Sequence, residues 1–116
     1  MLLPLIQFIA FTACSTTQSQ TQNTVQNFPA CINDKIESFK KAPKSNPPRS
    51  VTEYTYKGKK VYYITAPCCD QFSEVLDSNC NVLGHPDGGF TGKGDGKLPG
   101  FASEITGETL IWKDER

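Results

Sequence analysis

Apolar and polar positions along the 116-residue chain fall into distinct stretches. The first is dense: Leu2, Leu3, Leu5, Ile6, Phe8, Ile9, Ala10 and Phe11, broken by Pro4 and Gln7. At about ten residues it is too short to cross a bilayer, which takes roughly 20, and it matches the core of an export signal. Residues 15–27 then hold a single apolar side chain, Val25, and cannot bury a core. They read as a disordered tether, so the folded body begins near Phe28.

Ile32, Ile36 and Phe39 recur at helical spacing among Asp34, Lys35, Glu37 and Lys40, behind Pro29. This predicts an amphipathic helix over about residues 30–41, with acids early and bases late, as the helix dipole favours. Three prolines between Ala42 and Ser50 predict an extended connector. Val51–Tyr56 and Val61–Thr65 alternate as strands across Lys57-Gly58-Lys59-Lys60, with Tyr54 and Tyr56 on one face and Glu53 and Thr55 on the other. Glu74–Asp77 and Cys80–Leu83 make a second hairpin over Ser78-Asn79, and Thr109–Lys113 a last strand carrying Trp112. The sum is a small α+β domain, one N-terminal helix on an antiparallel sheet.

Composition narrows the partners. Twelve basic and twelve acidic residues cancel, which argues against nucleic acid held by excess positive charge. All of these charges lie beyond residue 30 and are unevenly placed: 31–60 carry eight bases and three acids, 61–116 four bases and nine acids. Five cysteines stand at 14, 31, 68, 69 and 80. If Cys14 is consumed separately, Cys31, Cys68, Cys69 and Cys80 form the even set expected of an exported, disulfide-stapled domain. Adjacent cysteines make a poor disulfide, so Cys68 and Cys69 are each expected to bond a distant partner, one Cys31 and the other Cys80. A soft-metal site, a Cys-x-x-Cys redox centre and a vicinal platform fit the spacing less well.

Seven of the nine glycines lie between Gly84 and Gly100, in a segment that satisfies neither the P-loop nor the dinucleotide pattern. Its candidate binding residues are Asp87, Gly88, Gly89, Phe90, Thr91, Lys93 and Asp95, with Tyr54 and Tyr56 nearby as stacking aromatics. His85 is the only histidine. With Asp87 and Asp95 it is the one acid–base set on offer, and no nucleophilic triad assembles around it. The spaced acids of a calcium loop are missing, although Asp87 and Asp95 could contribute oxygens to an irregular site, and no metal or cofactor is expected.

Phe11-Thr12-Ala13-Cys14-Ser15 resembles the lipobox of bacterial lipoproteins, in which signal peptidase cleavage leaves a lipidated cysteine at the new N-terminus. Phe11 departs from the usual Leu, and no Lys or Arg precedes the apolar run, as expected if the true start lies upstream of Met1. The resemblance implies a signal peptide over 1–13, a lipidated Cys14 with a tether over 14–27, and a single domain over 28–116. The uncharged Ser15 points to the outer membrane, with the body facing periplasm or surface. Cys68-Cys69-Asp70-Gln71-Phe72 and Pro86-Asp87-Gly88-Gly89-Phe90-Thr91-Gly92-Lys93-Gly94-Asp95-Gly96 resemble an uncharacterised family of small bacterial lipoproteins. Some members carry two further cysteines where this chain has Gly84 and Leu98, which implies a missing bridge at the loop base and a more mobile loop.

These readings favour a monomeric, non-enzymatic, lipid-anchored binding module with an unknown protein or glycan partner. The rivals are a protease inhibitor presenting a stapled loop, and a small hydrolase-like or metal-dependent enzyme using Asp87, Asp95 and His85.

Overall fold

The computed structural model describes residues 26–116, residues 9–14 and positions 2, 4 and 7. The rest of the apolar run and of the tether, 15–25, lies outside the described residues. No described helix is long and apolar enough to cross a membrane. The body is α+β as expected. Helix α1, Ala30–Lys41, precedes strands β1 (Ser50–Tyr56), β2 (Lys59–Ile64), β3 (Glu74–Leu76) and β4 (Val82–Gly84). A one-turn helix α2, Phe101–Glu104, then leads into β5, Thr106–Lys113. The sheet is antiparallel, in the order β4-β3-β2-β1-β5.

The first hairpin is tighter than the sequence pattern suggests. Tyr56 pairs with Lys59, so only Lys57 and Gly58 form the turn, at φ 49° and 77°. Positive φ at both central residues gives the backbone twist that two-residue hairpins need. In the second hairpin, Asp77 Oδ1 accepts the N–H groups of Asn79 (2.8 Å) and Asn81 (2.9 Å). Cys80 belongs to that turn, at φ 60°, so β4 begins at Val82 rather than at residue 80. Helix α1 has the expected bounds and ends on Lys40 and Lys41, but its first turn holds no acid. Helix α2 was not expected from the pattern. Gly100, at φ 71°, turns the chain into it and buries Phe101.

Pairing of Val51 with Ile64 and of Tyr54 with Val61 sorts the sheet into two faces. Helix α1 covers one of them, where Ile32 and Ile36 pack on Val51, Tyr62, Ile64 and Leu76. Phe39 stacks on Trp112 at 6.1 Å, and the Arg49 guanidinium lies 4.1 Å from the Phe39 ring centre. The buried Tyr62 hydroxyl donates to Glu53 at 3.2 Å; burial, then the Glu53 charge, pushes this phenol up to about 12. On the other face Tyr56, Val61, Val75 and Phe101 form a second core with Tyr54, Tyr63, Leu83 and Leu98 around it. Tyr54 and Tyr56 therefore share a face, as their alternation predicts.

The disulfides correct the expected pairing. Cys31 bonds Cys80, joining the first turn of α1 to the β3–β4 turn, and Cys68 bonds its neighbour Cys69. The physical reason is topological. Residue 80 sits under the helix beside Cys31 in the first core, whereas 68 and 69 occupy the β2–β3 connection with no third thiol there. Cys69 takes φ 56° in that connection. Cys14 is free and exposed.

The C-terminal residues close the helix. Arg116 donates to the carbonyls of Phe39 (3.2 Å), Lys40 (3.2 Å) and Ala42 (2.9 Å) at the helix end, where the Phe39 carbonyl also accepts the Ala42 N–H (3.2 Å). Asp114, 3% exposed, holds that guanidinium at 2.8 Å.

Two outcomes follow from this frame. Cys31→Ser/Cys80→Ser releases a loop spanning a separation of 49 residues and should cost about 4 kcal/mol in urea denaturation. Cys68→Ser/Cys69→Ser encloses no loop and should cost far less. Hydrogen bonds from Arg116 hold the Asp114 carboxyl down at about 2. A free aspartate titrates near 3.9, so the clamp stabilises fully above that pH and fades as pH falls through the folded value. Asp114→Asn should lower the urea midpoint at neutrality and flatten its acid limb.

Candidate functional site

The glycine loop leaves β4, crosses the sheet face opposite α1 and returns through α2. Backbone hydrogen bonds knit it internally: Asp95 N–H to the His85 carbonyl (2.9 Å), Gly94 N–H to Gly88 (3.1 Å) and Gly92 N–H to Gly89 (3.2 Å). Its seat is the β2–β3 connection. Ser73, wholly buried, sends both its N–H and its hydroxyl to the Asp87 carbonyl, each at 3.2 Å. His85 Nδ1 donates to the Ser73 carbonyl at 2.7 Å, since a carbonyl can only accept.

Three glycines fix how closely the loop sits. A Cβ on Gly88 would collide with the Gln71 carbonyl, and one on Gly94 with the His85 carbonyl. A Cβ on Gly89 would stand 2.6 Å from the Phe72 ring. All three have positive φ. Gly92 and Gly96 also have positive φ but face open space. Neither disulfide closes the loop, so it is fastened by backbone and contact instead of a staple. A Cβ at Gly84 would lie 3.0 Å from Leu98 Cγ, so positions 84 and 98 are neighbours at the loop base.

This packing displays some of the candidate residues and buries others. Phe90 projects from the loop at 96% exposure, with Thr91 and Lys93 exposed beside it. Asp95 turns inward and accepts the N–H groups of Lys97 (3.0 Å) and then His85 (3.2 Å), which hold its carboxyl below the usual range. Asp87 Oδ2 accepts the Tyr63 hydroxyl at 2.7 Å; burial, then this contact, pushes the phenol up to about 12. Tyr54 stands at the rim with its hydroxyl 3.4 Å from Glu108. Tyr56 is 7% exposed and packs on Phe101 at 5.2 Å, as core.

Asp87, Phe101 and Ala102 line two adjoining cavities. One, of about 340 Å³, also meets His85 and Lys93; the other, of about 240 Å³, meets Tyr54, Tyr63 and Ile105. Together they form a shallow groove with an aromatic wall and one carboxylate. His85 and Asp87 share a cavity, whereas the Asp95 carboxylate serves the loop backbone. Among the described residues no three His, Cys, Asp or Glu side chains gather to hold a metal. Tyr63 was among the aromatics the sequence offers for stacking, whereas Phe101, Ala102 and Ile105 were groove residues it did not single out. The signal for Phe101 was Leu98-Pro99-Gly100 immediately before it, a turn that leads into a short helix.

The glycine contacts generate a graded outcome. Gly88→Ala or Gly94→Ala should unseat the loop, costing on the order of 2–4 kcal/mol and exposing it to limited proteolysis. Gly92→Ala meets nothing and should cost only about 1 kcal/mol for its backbone angle.

A protein-family model described as "Domain of unknown function (DUF6970)" matches residues 37–114, from the middle of α1 to the Asp114 clamp. No curated protein and no solved structure matches the chain.

Proposed function

We propose, for a chain that belongs to the DUF6970 family of domains of unknown function, a non-enzymatic binding module held at the bacterial cell envelope by lipid on Cys14. The glycine loop and its groove are the contact surface for a protein or glycan partner. One observation carries the reading: a loop whose backbone packs too closely to admit a Cβ at Gly88 or Gly94 presents Phe90 almost fully to solvent. A large aromatic side chain on a fixed backbone loses little conformational freedom when it is buried by a partner, which is how interface anchors contribute affinity. The groove of Tyr54, Tyr63 and Asp87 alongside offers stacking and a hydrogen-bond acceptor, the combination that suits sugar rings or a polar side chain.

Anchoring is supported by the apolar run ending at Ala13-Cys14, by the exposed unpaired Cys14, and by two disulfides of the kind that persist outside the cytoplasm. The body from residue 28 then stands off the outer membrane on its tether as a monomer. The inhibitor reading depended on a stapled loop, and the disulfides lie elsewhere. The enzyme reading depended on Asp87, Asp95 and His85 acting together, and Asp95 is occupied within the loop.

Intact mass of membrane-extracted protein should show acylation at Cys14, and Cys14→Ala should move the protein to the soluble fraction. Cross-linking in intact cells should trap a partner whose yield falls about tenfold or more with Phe90→Ala, an anchor's contribution of roughly 1.4 kcal/mol or above. An unmodified Met1 with a free Cys14 thiol would refute the anchoring. An unchanged cross-link with Phe90→Ala would refute the contact surface.

A further inference from the structure

We infer that the hairpin end of the sheet carries a second site, a groove for a small phosphate-bearing ligand built on Lys57 and Lys59 and separate from the glycine-loop surface. A cavity of about 680 Å³ opens there between the β1–β2 turn and the β3–β4 turn. That is the size range of small-molecule sites, and about twice the larger cavity beside the glycine loop. One wall is cationic, with Lys57, Lys59 and Lys60; the other is the Asp77-Ser78-Asn79 turn, and Val61 and Leu83 make an apolar floor.

Among the described residues, two of the three ammonium groups on this wall make no ion pair. Lys60 pairs with Glu53 at 3.4 Å, but among the described residues no carboxylate lies within 4.0 Å of Lys57 or Lys59. The acid opposite them is Asp77, whose negative charge faces Lys59 and leaves the groove with a net positive charge from Lys57 and Lys59 together. Its carboxylate is taken up by the N–H groups of Asn79 and Asn81 and the Asn81 side-chain amide (3.2 Å). Lys57 is also pre-placed: its backbone sits at φ 49° in the two-residue turn, and its ammonium lies 5.2 Å from the Tyr56 ring centre. Facing it, the Ser78 hydroxyl and the Asn79 side-chain amide make no hydrogen bond among the described residues.

Two ammonium groups without an ion pair, opposite unengaged hydroxyl and side-chain amide donors, suit a phosphate, whose oxygens accept from all of them. The apolar floor and the Tyr56 edge would meet the carbon skeleton of a sugar-sized carrier. A long polyanion does not fit. It would need a track of positive charge, and this chain has no net charge.

The test is an NMR titration of the full chain with glucose 6-phosphate, with glucose as the neutral control. Saturable shifts are expected at the amides of residues 57–61 and 78–79 with glucose 6-phosphate alone. Lys57→Gln/Lys59→Gln should weaken binding by about tenfold or more with the thermal midpoint unchanged, while Lys44→Gln and Phe90→Ala leave it intact. Retention on phosphatidylglycerol vesicles but not phosphatidylcholine vesicles, competed by glucose 6-phosphate, would assign the phosphate to lipid headgroups. Saturation without retention would assign it to a soluble ligand. Equal shifts with glucose, no saturation at millimolar concentrations, or undiminished binding by the double variant would overturn the site. Equal weakening by Phe90→Ala would overturn its separateness from the loop surface.

Discussion

Much of this structure rests on the close approach of bare glycine backbone to two carbonyls. Gly94 lies against His85 and Gly88 against Gln71, with no room for a methyl group at either. The contact lets a segment with few side chains lie flat on the sheet and stay there. Ordering so many glycines is entropically costly, and the hydrogen bonds of Ser73, Asp95 and the loop backbone offset that cost locally. Because the loop is down, Phe101 and Leu98 complete a second core, and Asp87 reaches Tyr63 at the mouth of the groove. Raising the loop would open that core as well as the groove.

Two kinds of fastening divide the work. On the helix side Cys31–Cys80 and the Arg116 clamp bind α1 at both ends, one covalently and one through three carbonyls. On the loop side nothing is covalent across the layer, and Cys68–Cys69 only shapes the connection on which the loop rests. The helix layer is thus tied at both ends, while the loop layer is held by backbone turns and close contact.

Legibility in the sequence followed from how local each signal is. Helix α1 was readable from Ile32, Ile36 and Phe39, and the strands from their β-branched and aromatic runs, since each depends on spacing within one segment. The shared face of Tyr54 and Tyr56 followed from alternation, but the core role of Tyr56 did not. That required knowing that Phe101, some 45 residues on, returns to the same face. The disulfide pairing failed for a related reason: which thiols meet is decided by where the β3–β4 turn docks, not by the poor geometry of adjacent cysteines. The glycine segment announced that close approach was needed, but not against which carbonyls. The lysine groove was hidden because its two walls are separate hairpin turns, brought side by side only by the β2–β3 pairing.

The two sheet faces also separate α1 from both grooves. The chain enters through Phe28 and α1 on one side, and both the loop groove and the lysine groove open on the side where Tyr56 and Val61 lie. Any ligand of either groove would meet the sheet on the face that α1 leaves uncovered.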